Sequence, residues 1–239
     1  MITRSLYNQH ALITGGSKGL GKAIAERLSY LGCKVTLLAR NEKLLKSNVE
    51  YLNRHFNLKD QKHDYVKFDL SKPESIENDL YPRLKSVNIL INCAGLSQAR
   101  LLINTPVTEI QDIINTNMLS PIILSKLFLR NVHKMKLINA HLVNISSVIG
   151  KSELQHNLVG TSVYSASKAG LSRFSDIIAQ ETERMRLKNK TSITITTIHP
   201  GHISDTDIGS SVRNDNEKLS LPKDTIDNVV DQVVTAVTV

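Results

Sequence analysis

Tryptophan is absent from this 239-residue chain, and aromatic residues together make up 4% of it. Proteins that hold single-stranded nucleic acid stack bases on aromatic platforms along basic grooves. Here the lysines and arginines are scattered rather than blocked, so both parts of that device are missing and nucleic acid is not an expected partner. Cysteine is scarce too. Cys33 and Cys93 lie in apolar stretches with neither a disulfide framework nor zinc-ligand spacing. That predicts reduced core thiols, an intracellular compartment and no metal. No apolar run approaches the ~18 residues of a membrane span. Acidic residues are also missing at the start, the earliest being Glu26. A basic, acid-poor beginning marks mitochondrial targeting segments, but the core pattern already starts by His10, too early for an ordinary cleaved presequence. A mitochondrial matrix location is therefore expected from charge bias alone, with the cytoplasm as the alternative.

What is present is cationic. The formal charge is +8, which suits an anionic cofactor or an acidic partner. A hydrophobic content of 41% and 239 residues allow one large α/β domain and leave little room for a second. Residues 1–239 are therefore expected to form a single domain.

The apolar run Ala11–Ile13 leads into Thr14-Gly15-Gly16-Ser17-Lys18-Gly19-Leu20-Gly21, and Lys22 to Leu31 then shows helical periodicity. Strand, glycine turn and helix together make a phosphate site. Glycines let the backbone approach the anion, and the helix N-terminus offers unpaired N–H groups. Lys18 adds a cation. Lys34 to Leu38 reads as a second buried strand, followed by Ala39 and Arg40. An NAD site usually carries an acid there for the ribose 2′-hydroxyl, whereas a 2′-phosphate needs a cation. Arg40 and Lys18 thus favour NADPH.

Further alternation follows. Glu42 to Leu58 has a polar amphipathic helical pattern, and Tyr65 to Asp69 reads as a strand. Ser71 is expected to cap a helix with Pro73 in its first turn. Asn88 to Ile91 reads as a central strand ending at Asn92-Cys93-Ala94-Gly95. Val107 to Lys136 is helical, and Asn115-Thr116-Asn117 with Pro121 predicts one helix ending and another starting. His141 to Ile145 is a fifth strand that delivers Ser146 and Ser147. Ser192 to Ile198 is a sixth, ending at His199-Pro200-Gly201. Residues 202–222 read as a polar mobile loop, and Thr225 to Ala236 as a final amphipathic helix. Such alternation predicts a single doubly wound, Rossmann-type α/β domain with a parallel sheet. Ligands of such sheets lie beyond the carboxyl ends of the strands, where the glycine turn, Arg40, Asp69, Asn92, Ser147 and Pro200-Gly201 all fall.

Tyr164 and Lys168 are four apart, so on a helix they share one face. A phenol holds its proton to about pH 10, and an ammonium one turn away is expected to lower that value. Such a pair can give a proton to a carbonyl oxygen or take one from an alcohol.

Taken together, Thr14-Gly15-xxx-Gly19-x-Gly21, Asn92-Cys93-Ala94-Gly95, Asn117, Ser147, Tyr164-xxx-Lys168 and Pro200-Gly201 resemble the classical short-chain dehydrogenases/reductases over nearly the whole chain. Within that family the chain is most similar to 3-oxoacyl-[acyl-carrier-protein] reductases, above all fungal mitochondrial ones. The likeness runs through Leu90–Leu96, Asn144–Ser147 and Gly160–Ala169. It implies reduction of a 3-oxoacyl group on acyl-carrier protein in mitochondrial fatty-acid synthesis. Two alternatives are a broad carbonyl or quinone reductase and a non-catalytic NADP-binding subunit.

The resemblance also implies roles. Tyr164 would protonate the substrate carbonyl, Lys168 would hold the nicotinamide ribose and depress the Tyr164 pKa, and Ser147 would orient the carbonyl. Preferring Ser147 to Ser146 rests on the family pattern. Asn117 would hold a water linking Lys168 to solvent. Asp69 and Leu70 would flank the adenine, and Asn92, Ala94 and Gly95 would line the cofactor groove. Gly15, Ser17, Lys18, Gly19, Leu20, Gly21, Arg40, Pro200, Gly201 and Ile203 would complete the NADP site. Three features depart from the pattern. The stretch between Ser147 and Tyr164 is longer than in compact bacterial relatives, and Cys93 replaces a commoner Asn. The chain also stops at Val239 without the family's usual last strand, so the expected oligomer is a dimer or tetramer, with a partner subunit as a further option.

Overall fold

A computed structural model describes residues 6–56, 61–151, 158–189, 191–206 and 221–238. Its frame is one parallel sheet of β1 (His10–Thr14), β2 (Lys34–Ala39), β3 (Asp64–Lys67), β4 (Ile89–Asn92), β5 (Ala140–Ile145) and β6 (Ile193–Ile198). The strands lie in the order β3-β2-β1-β4-β5-β6. Every residue of β1, β4 and β5 is buried, because a parallel sheet has helices on both faces and needs apolar side chains on each.

The helices are α1 (Gly19–Tyr30), α2 (Glu42–His55), α3 (Ile76–Leu80), α4 (Val107–Ile114), α5 (Ser120–Met135), α6 (Ser162–Asn189) and α7 (Ile226–Thr238). Alternation along β1 divides the core. Ala11 and Ile13 pack with Ile24 and Leu28 of α1 and with Val229 and Val233 of α7. Leu12 belongs to the opposite layer, with Leu80 of α3 and Leu124, Leu127 and Phe128 of α5. The chain winds outward from β1 to β2 and β3, then returns to β4 on the other side of β1. That reversal opens a crevice where β1 and β4 end.

Four local expectations need correction. α2 ends at His55, and Leu58 lies outside the described residues. β3 closes at Lys67, paired with Ala39 at the end of β2, so Phe68 and Asp69 have run past their neighbouring strand. Ser71 caps nothing. Its N–H donates to Asp69 Oδ1 at 3.0 Å, and Pro73 opens a 3₁₀ turn over Pro73–Ser75 that leads into α3.

The fourth concerns Pro121. The helix does not break there but widens into a π-helical turn over Asn115–Leu119 that joins α4 to α5. Proline has no N–H for the Asn117 carbonyl four residues back, and a widened turn absorbs that loss without ending the helix. Of the expected loop 202–222, residues 207–220 lie outside the described residues. Its flanks are joined by His202 N–H donating to Pro222 O at 2.7 Å. Among the described residues no helix is long and apolar enough to cross a membrane. Cys33 and Cys93 are both free thiols.

Two histidines are buried at the amino ends of the strands. His10 lies between Ser86 Oγ at 2.9 Å and Thr36 Oγ1 at 2.8 Å. His63 Nδ1 accepts the Val35 N–H at 3.1 Å. Burial, reinforced by the Lys34 charge, pushes both imidazoles down to about 4. The unfolded chain then binds more protons than the folded one between that value and 6.5, so stability rises with pH across the interval. Urea midpoints should fall steadily as pH is lowered from 6.5 towards 4, and a His10→Gln/His63→Gln double variant should lose most of that slope.

Candidate active site

The turn after β1 closes on the turn after β4. Thr14 Oγ1 accepts the N–H groups of Cys93 at 2.9 Å and Ala94 at 3.0 Å. Gly15 has φ +73, and a Cβ there would sit 2.9 Å from Ala94 Cα. Only glycine meets both conditions. Gly21 lies in the first turn of α1, where a side chain would strike the Gly15 carbonyl. From α2, Asn48 Nδ2 donates to Gly16 O at 3.1 Å and Ser17 O at 2.9 Å, fixing the turn from behind. The first turn of α1 contains no acid, which leaves its positive dipole end suited to an anion.

A cleft of about 590 Å³ runs along the carboxyl edge of the sheet. Gly15, Ser17, Lys18, Gly19, Leu20 and Gly21 border it beside Arg40. Asp69 and Leu70 line it after β3, Ala94 and Gly95 after β4, Ser147 after β5, and Pro200, Gly201 and Ile203 after β6. Tyr164 and Lys168 enter it from α6. Residues scattered over nearly 190 positions thus meet in one crevice because each follows a strand end or opens a helix. Arg40 is exposed just past the end of β2, and it borders the same cleft as Lys18. The lining therefore fits a phosphorylated dinucleotide: a close-packed glycine cradle, cations at one end and proton-transfer groups at the other.

Asn92 is not part of the wall. It is 2% exposed, and its Nδ2 donates to Asn144 Oδ1 at 2.8 Å. The strand pleat turns it inward while Cys93 reaches the cleft, so the expectation that Asn92 lines the groove was one residue out.

Ser147, Tyr164 and Lys168 are all buried at the cleft floor, at 7%, 8% and 4% exposure. Lys168 Nζ donates to the Ile145 carbonyl at 2.8 Å. Burial pulls its pKa down to about 8, with the Cys93 sulfur acting weakly the other way. Burial pushes the Tyr164 phenol up, and a hydrogen bond with Ser147 pulls it back. The expected net lowering of Tyr164 is therefore corrected: burial sets the direction of the shift, and the Lys168 ammonium lies 5.9 Å from the ring centre. The arrangement holds a protonated phenol next to a hydroxyl and a cation.

Asn117 sits in the π-helical turn and is completely buried. Its Oδ1 accepts from Leu96 N at 2.8 Å, and its Nδ2 donates to Leu96 O at 2.9 Å and Ser167 Oγ at 3.1 Å. That side chain clamps the segment after β4 to α6. Asn48 and Gln98 escaped the sequence reading, since neither lies in a spaced motif. The longer stretch after Ser147 falls partly on residues 152–157, outside the described residues.

The family model for short chain dehydrogenases matches residues 9–217. The chain belongs to the short-chain dehydrogenase family. It is 33% identical to the 3-oxoacyl-[acyl-carrier-protein] reductase FabG of Salmonella typhimurium, covering 88% of this chain and 80% of that one. It is 28% identical to the human 3-oxoacyl-[acyl-carrier-protein] reductase, covering 88% and 81%. Among solved structures, a short-chain dehydrogenase from Sphingobium yanoikuyae in complex with NADPH superposes with a TM-score of 0.76 at 24% identity, covering 95% and 83%. These relatives support the reductase class and do not reach the fungal subgroup expected from the motif wording.

The clamp on Leu96 yields a stability prediction for this family member. Asn117→Ala leaves a buried N–H and C=O without partners, each costing roughly 1–3 kcal/mol. Urea unfolding should show a loss of about 2–6 kcal/mol on that account. A loss near zero would show that Asn117 holds nothing.

Proposed function

We propose that this chain is an NADPH-dependent reductase of 3-oxoacyl thioesters carried by acyl-carrier protein. The observation that carries the reading is the meeting of Ser147, Tyr164 and Lys168 in the same cleft as the glycine turn and Arg40. The names of the human and Salmonella relatives support the substrate class. A net charge of +8 suits an acidic carrier. The same charge, with no acidic residue before Glu26, supports a mitochondrial matrix location.

In this reading the backbone of Gly15 to Gly21 and the start of α1 hold the diphosphate, and Arg40 with Lys18 receives the 2′-phosphate. Asp69, Leu70, Ala94 and Gly95 bound the adenine half, and Pro200, Gly201 and Ile203 bound the nicotinamide half. Held there, the cofactor would supply hydride chemistry to the carbonyl carbon. Tyr164 Oη gives its proton to the carbonyl oxygen, and the Ser147 hydroxyl donates a hydrogen bond to the same oxygen, fixing its direction. A phenol raised by burial keeps its proton until negative charge grows on that oxygen. The phenolate left behind is stabilised by the Lys168 ammonium one helical turn away. Lys168 has donors to spare beyond the Ile145 carbonyl, and these would hold the ribose hydroxyls.

Tyr164→Phe removes the transferable proton and preserves the ring. Steady-state NADPH oxidation with an acetoacetyl thioester should fall by ~10²–10⁴-fold, while fluorescence titration gives NADPH affinity near wild type. Near-normal turnover in that variant would remove Tyr164 as the donor.

A further inference from the structure

Gln98 stands in the segment that leaves β4, outside every motif that marks the family. It is 1% exposed yet borders the cleft. Its Oε1 accepts the N–H groups of Val163 at 2.7 Å and Tyr164 at 3.3 Å. Its Nε2 donates to Thr105 Oγ1 at 3.0 Å and Arg100 O at 3.2 Å. All four positions of the amide are used, so its orientation is set from both ends.

The recipients matter. α6 begins at Ser162, so Val163 and Tyr164 carry N–H groups that the helix itself leaves without acceptors. The preceding residue ordinarily supplies the acceptor from its own side chain. Thr161 holds that position, but its hydroxyl is engaged by Leu158 O at 2.7 Å and Ser165 Oγ at 3.0 Å. Gln98 caps the helix instead, from 65 residues away. A neighbouring tether, Arg100 N–H to Gly160 O at 3.2 Å, holds the same two segments together.

We infer that Gln98 is a positioning residue of the reductase, locking the first turn of α6 onto the segment after β4 and thereby fixing the Tyr164 hydroxyl against Ser147. The inference rests on Tyr164 being the proton donor. An ordinary cap residue moves with its helix and sets only helix stability. A cap supplied by the opposite cleft wall instead sets where the first turn stands relative to the substrate carbonyl.

The test compares Gln98→Leu, Gln98→Glu and Tyr164→Phe, using NADPH oxidation with acetoacetyl-CoA, NADPH binding, and amide exchange of Val163 and Tyr164 in the protein alone. Gln98→Leu should lower kcat roughly 10²-fold through misplacement of the phenol, with KM and NADPH affinity near wild type. Its two amides should exchange faster. Gln98→Glu keeps an acceptor facing the helix and should retain amide protection and most of kcat. Wild-type kcat in folded Gln98→Leu, or a loss shared equally by kcat, KM and NADPH affinity, would overturn the role. If Gln98→Leu does not fold, Gln98→Asn, one methylene shorter, takes its place in the same comparison. An active Tyr164→Phe removes the donor assignment itself, whereas an inactive one beside an unimpaired Gln98→Leu removes only the role of Gln98.

Discussion

Lys168 carries an ammonium into a site where 4% of the residue remains exposed, and the surrounding structure is arranged to tolerate it. Burying a cation without partners is strongly unfavourable. The Ile145 carbonyl at the end of β5 accepts one of its protons, and its pKa drops only to about 8. Its backbone is held as well. The Lys168 carbonyl accepts from Ser146 Oγ at 2.9 Å and Ser172 Oγ at 3.0 Å, and Ser172 meets His199 Nε2 at 3.1 Å. The charge is thus fixed to β5 through Ile145 and Ser146 and to the end of β6 through His199. A helix secured this firmly can keep a phenol and an ammonium one turn apart on the buried floor of the cleft.

The rest of the site is assembled by the same logic of strand ends. Thr14 and Gly15 draw the end of β4 onto the end of β1, closing the crevice that the reversal of strand order opens. Asn117 and Gln98 then connect the segment after β4 to α6 by side-chain amides. The groove for an anionic cofactor and the proton-transfer groups are consequently parts of one hydrogen-bonded frame.

The sheet was legible because its strands are short apolar runs ended by residues with special chemistry. The glycine turn, Arg40, Asp69, Ser147 and Pro200-Gly201 reach the cleft for that reason. What escaped depends on distant partners. Pro121 looks like a helix stop, yet a widened turn accommodates it, and no local pattern announces that outcome. Asn92 belongs to a recognisable motif, but the strand pleat decides which member faces inward. Lys168 and Tyr164 were read as a pair from their spacing and the family pattern, whereas the sign of the Tyr164 shift follows from burial by the whole fold. Asn48 and Gln98 are single amides that reach backbone groups 31 and 65 residues away, too far for spacing to reveal them.

The central claim is that this cleft reduces a carrier-bound 3-oxoacyl thioester with NADPH. The direct measurement is the initial rate of NADPH oxidation by the purified protein on acetoacetyl-carrier protein, acetoacetyl-CoA and a simple quinone. The account predicts the highest kcat/KM on the carrier-bound thioester. Preference for the quinone, or NADPH binding without turnover of any of the three, would contradict it.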